Sequence, residues 1–145
     1  MPGQLRNTLA LLSCLVAVAL AAPAQAAPTS MEKRLVERIN DARASHGLRQ
    51  LRFAPKLGEG ASAWSQRLVR RDAFRHARLR AGTGEIIAWG TCSWFRPARA
   101  VRMWLDSPGH RALLLRPGFR VIGTGWARGS WRSYGCAEMA VARFR

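Results

Sequence analysis

Three side chains in this 145-residue sequence stand apart by their chemistry: His76, Glu85 and His110. Two neutral imidazoles and a carboxylate can hold a divalent ion such as zinc and leave a fourth position open for water. The same groups can work as an acid/base or hydrogen-bonded cluster with no metal. Their gaps of 9 and 34 residues reproduce no local metal motif of the H-E-x-x-H kind, so spacing leaves both chemistries open.

Each of the three raises a question of position. Glu85 stands directly before Ile86, Ile87 and Ala88, an odd place for an acid in a strand or buried turn. His110 follows Ser107-Pro108-Gly109, where a helix should begin, because a serine hydroxyl can cap the first turn and proline has no N-H to leave unpaired there. Ser107 lies one helical turn before His110, within reach of it, but is read as a cap and not as a nucleophile. A third histidine, His46, falls in the last turn of an earlier helix, where a cation favours the dipole, and reads as a surface residue.

The elements that must position these groups follow from local pattern. Thr29-Ser-Met-Glu32 has the form of a capping box, and Leu35, Val36, Ile39 and Ala42 recur at helical spacing up to Gly47, so a helix is expected over Ser30 to His46. Leu48, Leu51 and Phe53 then read as core plugs in a connecting loop. Leu57, Ala61, Trp64 and Leu68 form the apolar stripe of a second helix, whose continuation delivers His76. Pro97 opens a third helix with Ala98, Val101, Trp104 and Leu105 inward, and RALLL after the Ser-Pro-Gly-His turn makes a short helical piece. FRVIGTGWA and SYGCAEMAVARF are expected to pair as an antiparallel hairpin turning at ARGSW.

Composition bounds the setting. The run TLALLSCLVAVALAA and the A-x-A pattern at Ala24 and Ala26 read as a secretory signal over residues 1–26, with 27–30 a short linker and 31–145 one folded domain. A lipoprotein cysteine at Cys14 is the rival reading, and the apolar run continuing past Cys14 argues against it. Export leaves Cys92 and Cys136 as an even pair in an oxidising compartment, so they are expected to form a disulfide. The loop so closed would contribute about 3–4 kcal/mol. The formal net charge is +16, but the bases are nearly all arginine and are scattered without a run of five. This favours a solvated basic surface over nucleic-acid binding, with anionic cell-envelope polymers or lipid headgroups as the next partners in line. The densest stretch is RLVRRDAFRHARLR at 67–80.

FRH at 74–76, GEIIAWG at 84–90, VRMWLDSPGHRALLL at 101–115 and the following FRVIGTGWA together resemble the signature blocks of the CAP superfamily, which groups cysteine-rich secretory proteins, antigen 5 and pathogenesis-related class 1 proteins. The resemblance covers residues 31–144 and implies an α+β fold, a three-layer α-β-α sandwich, with a cleft lined by two histidines and two acids. His76, Glu85 and His110 match the first histidine, first acid and second histidine. Ile86 stands where the family has an asparagine. The second acid matches Ser107, while Asp106 is one residue early, about 100° away on a helix, and either serves as a displaced cleft acid or caps the turn.

The function so implied is a secreted, monomeric extracellular binding module with a cleft able to hold a divalent cation, zinc first, and a small apolar, lipid or protein ligand. A metal-assisted hydrolase or peptidase acting on cell-wall or other extracellular material is the alternative, with Glu85 as base and water held at His76 and His110. Binding of envelope polymers or nucleic acid by the basic surface is the next. The tryptophans at 64, 89, 94, 104, 126 and 131 read as core and rim packing before they read as a lipid groove.

Overall fold

The computed structural model describes residues 27–131 and 135–145, and the expected signal segment and Cys14 lie outside the described residues. The chain order is α1 (Ser30–Ser45), β1 (Arg52–Phe53), α2 (Pro55–Arg70), β2 (Gly84–Thr91), α3 (Pro97–Asp106), α4 (Pro108–Leu114), β3 (Val121–Ser130) and β4 (Cys136–Phe144). The strands form one sheet in the order β1-β3-β4-β2, with β1 parallel to β3 and the other neighbours antiparallel.

Period-two alternation divides the sheet between two cores. Ile86, Ala88, Ile122, Trp126, Ala140, Ala142 and Phe144 face α1, α3 and α4, where Leu35, Ile39, Val101 and Trp104 meet them. Ile87, Ala127, Met139 and Val141 point the other way, onto Ala61, Leu68 and Val69 of α2. Both faces are therefore covered, which explains why β2 and β4 read as near-continuous apolar runs. The result is the expected three-layer α-β-α sandwich. No described helix is long and apolar enough to cross a membrane.

The layer of α2 lies unusually close to β3. A β-carbon on Gly123 would stand 2.2 Å from the backbone of Gly58, and one on Gly125 would stand 2.2 Å from the carbonyl oxygen of Ala61. The G-T-G of β3 is thus a steric requirement: both glycines turn the same face to α2, and backbone meets backbone there.

The capping box forms, with the Thr29 amide donating to Glu32 Oε2 at 2.7 Å and the Glu32 amide donating to Thr29 Oγ1 at 3.2 Å. Glu32 does more than cap, because its Oε1 also accepts from the Trp126 amide and its carbonyl accepts from Thr124 Oγ1, stitching α1 to β3. Arg43, on the same helix, is fully buried and has no acidic partner among the described residues. It donates instead to the carbonyls of Arg49, Leu114 and Arg116, so a cation closes the C-terminal end of α4.

Three local expectations are corrected. Ala98 is exposed and Ala100 takes the inward position beside Val101 and Trp104, because Pro97 is itself buried and sets the phase of α3. The residues ARGS belong to β3, paired with β4 through Ser130 and Cys136, so 127–130 are strand and not turn. Leu48 and Phe53 are only half-buried, and of the three supposed plugs only Leu51 enters the core. Asn40 holds Leu51 in place, accepting from its amide and donating to its carbonyl. Cys92 and Cys136 form the expected disulfide, tying the end of β2 to the start of β4.

Candidate functional site

Glu85 occupies the second position of the edge strand β2, on the α2 face, opposite Arg143 of β4. Its side chain is 1 % exposed, and both oxygens are engaged. Oε1 accepts from the Ala77 amide at 2.9 Å and lies 3.0 Å from His76 Nδ1, while Oε2 accepts from Arg143 Nε at 2.9 Å. A buried carboxylate without partners would be strongly unfavourable, and this one has three donors. The acid that looked out of place is the anchor for the loop that follows α2.

That anchoring fixes His76. With Nδ1 hydrogen-bonded to a carboxylate, the ring carries its proton at Nδ1 and presents Nε2 outward. The side chain is 55 % exposed, so this nitrogen is open to a ligand. His110 stands on α4, on the other side of the sheet edge, with Nδ1 2.9 Å from Ser107 Oγ. Its pKa lies below the ordinary histidine value, chiefly because burial disfavours the imidazolium and secondly because the charge of His76 opposes it. Each imidazole therefore feels the charge of the other.

The opening turn differs from the local expectation. Ser107 is in the N-cap position of α4, but its side chain makes no cap hydrogen bond. The carbonyl of Ser107 accepts from the Arg111 amide while the hydroxyl turns to His110. Asp106, the last residue of α3, is exposed beside Ala98, Arg102 and Arg111, away from the residues that surround His76. Its neighbours make it a surface carboxylate among arginines. Ile86 is wholly buried in the core on the opposite face from Glu85, so the residue replacing the family asparagine packs the interior. His46 is a surface residue: its Nδ1 lies 2.7 Å from the Ala42 carbonyl and its Nε2 3.0 Å from the Arg111 guanidinium.

Among the described residues no three His, Cys, Asp or Glu side chains are grouped to hold a metal ion. Both oxygens of Glu85 are engaged by Arg143, Ala77 and His76.

Residues 36–144 match the cysteine-rich secretory protein family. The chain belongs to that family. The curated relative YkwD, an uncharacterized protein of Bacillus subtilis, is 32% identical over 118 residues, covering 69% of this chain and 45% of its own length. The chain thus spans less than half of that relative. Among solved structures, an outer surface protein of Borrelia burgdorferi superposes with a TM-score of 0.61 at 22% identity, covering 77% of this chain and 89% of that one. An extracellular SCP-domain protein of Bacillus anthracis gives 0.62 at 21% identity, over 78% of this chain and 39% of that one. These likenesses establish the fold.

Arg143 and a set of arginines around His76 escaped the sequence reading. Arg143 was hidden in the strand VARF, and only the register Glu85↔Arg143 reveals its role. Arg67, Arg75 and Arg78 all belong to the dense basic stretch at 67–80, and that density was the available signal.

The tryptophans divide as expected. Trp104 and Trp126 are buried, and Trp104 donates through Nε1 to the Ile87 carbonyl, fastening α3 to β2. Trp131 is also buried, with Trp89 edge-on against it, while Trp94 remains exposed.

Proposed function

We propose that this chain is an extracellular binding module of the cysteine-rich secretory protein family, acting through ligand capture at the His76/Glu85/His110 cleft and not through hydrolysis. The observation that carries this reading is the state of Glu85. A general base needs a free oxygen within reach of the proton it removes, and both oxygens of this buried carboxylate are already held by Arg143, Ala77 and His76. Glu85 acts as a positioning residue, fixing the ring of His76 from behind. A divalent cation such as zinc would be held by Nε2 of His76 and Nε2 of His110, and when bound it would supply an electrophilic point for a ligand oxygen. The lowered pKa of His110 suits that role, since an imidazolium has no lone pair to give.

For a small apolar or lipid ligand the fold also offers a second cavity. A cavity of about 510 Å³ lies between the start of α1 and α2, with Phe53, Pro55 and Ala63 on its walls and Glu32 and Thr124 among its polar residues. Its size falls in the range of small-molecule sites. Extracellular location accords with the Cys92–Cys136 disulfide, since such bonds persist where the medium is oxidising.

The test joins calorimetry with a hydrolysis screen on purified, oxidised protein. Zinc is expected to bind the parent protein and to be lost from both His76→Ala and His110→Ala, while peptide, ester and cell-wall substrates remain intact. Hydrolysis that disappears in either folded variant would overturn the binding reading in favour of the enzyme.

A further inference from the structure

Beside His76 lies a pocket of about 450 Å³ whose walls include Trp64, Arg67, Arg75, Arg78 and Arg143. Trp64 organises it. The guanidinium of Arg67 lies 5.6 Å from the indole centroid and that of Arg75 lies 5.7 Å from it, so one ring seats two cations. The indole Nε1 also donates to the Arg75 carbonyl at 3.3 Å, tying the loop to α2. Among the described residues no carboxylate pairs with Arg67, Arg75 or Arg78. Glu85, beneath the pocket, is already engaged with Arg143 and His76.

Arg143 forms part of the floor. Its side chain is 11 % exposed, and its Nε is used by Glu85. Its Nη1 comes up beside Gly60, where a β-carbon would stand only 2.7 Å from it, so the glycine leaves the space that this guanidinium end occupies. Guanidinium groups facing one cavity repel one another, and the arrangement is relieved by an anion with several oxygens. The planar N-H fork of arginine matches a phosphate in particular, by paired hydrogen bonds.

We propose that this pocket is a binding site for a phosphate oxyanion, held by Arg67, Arg75 and Arg78 above Arg143, with Trp64 presenting the first two. At about 450 Å³ the pocket has room for the group that carries the phosphate. The site goes beyond the cation reading and does not depend on it, because its ligands are arginines. The phosphate belongs either to a small soluble ester or to a phospholipid headgroup, which share this chemistry.

The test is calorimetric titration of the purified, oxidised protein with inorganic phosphate, in the presence of a chelator so that zinc plays no part. R67Q/R75Q/R78Q is expected to weaken binding roughly tenfold or more, since three charge-assisted contacts go together. The control R34Q/R49Q/R102Q removes equal charge from exposed positions elsewhere and should stay within about twofold of the parent. Far-ultraviolet and near-ultraviolet circular dichroism confirm that both triples are folded. Vesicles of phosphatidylcholine with phosphatidylglycerol then identify the source. Vesicle binding that inorganic phosphate displaces assigns a lipid headgroup, and phosphate binding without vesicle binding assigns a soluble ester. No phosphate binding by the parent protein, or equal weakening in the two triples, overturns the site in favour of diffuse surface charge.

Discussion

Replacing Arg143 by Met puts the central claim about Glu85 under direct strain. The pair is buried on one side almost completely, with Glu85 1 % exposed, Arg143 11 % exposed and a separation of 2.9 Å from Nε to Oε2. Removing one partner of such a pair leaves an uncompensated charge in the interior and costs about 3–5 kcal/mol. The lower end applies here, because Oε1 keeps its bonds to the Ala77 amide and to His76. About 3 kcal/mol is therefore expected, and in urea the unfolding midpoint should fall by roughly 1–2 M with an unchanged slope. Glu85→Gln should also destabilise the protein, by stranding the guanidinium. The double variant should be better than the sum of the two singles by about 1–3 kcal/mol, since no unpaired charge remains in it. If Arg143→Met unfolds within about 0.5 kcal/mol of the parent, or if the two singles simply add, the pair does not hold the His76 loop and the account of the cleft fails.

Two further outcomes are expected from particular contacts. Gly125→Ala puts a β-carbon 2.2 Å from the Ala61 carbonyl oxygen, a backbone clash that cannot be relieved by a rotamer change. It should cost about 3 kcal/mol and lower the melting temperature by roughly 10 °C, read by calorimetry. The second outcome concerns pH. The folded-state pKa of His110 is lowered by burial and by His76, so below the ordinary value of about 6.5 the unfolded chain takes up more protons than the folded one. Stability from this group is therefore complete above that value and declines as pH falls through the window down to the lowered pKa. Nuclear magnetic resonance titration of the His110 ring should give a midpoint under 6.5, and His76→Ala should raise it part of the way back, since burial remains.

What the sequence determined by itself was the part written in short-range pattern. The Thr29/Glu32 box, the stripe of α2 and the proline starts of α3 and α4 are local instructions, and the structure follows them. The family blocks placed His76, Glu85 and His110 as a candidate set, and the even cysteine pair anticipated the Cys92–Cys136 bond. Local logic failed where a side chain had a choice of partners. Ser107 had the sequence of a cap, but its hydroxyl went to His110, whose ring was one turn away.

The tertiary structure alone decided what the charged residues do. Glu85 and Arg143 lie 58 positions apart, and only the β2/β4 register sets them face to face. The same holds for Arg43, which looks like a polar helix residue and is buried against carbonyls 71 and 73 positions away. Arg67, Arg75 and Arg78 count as scattered surface charge until the turn after α2 brings them round Trp64. Apolar periodicity can be read along a chain because burial depends on the face a residue occupies. An ionised group takes its meaning from the particular partner it meets, and that meeting exists only once the layers have closed.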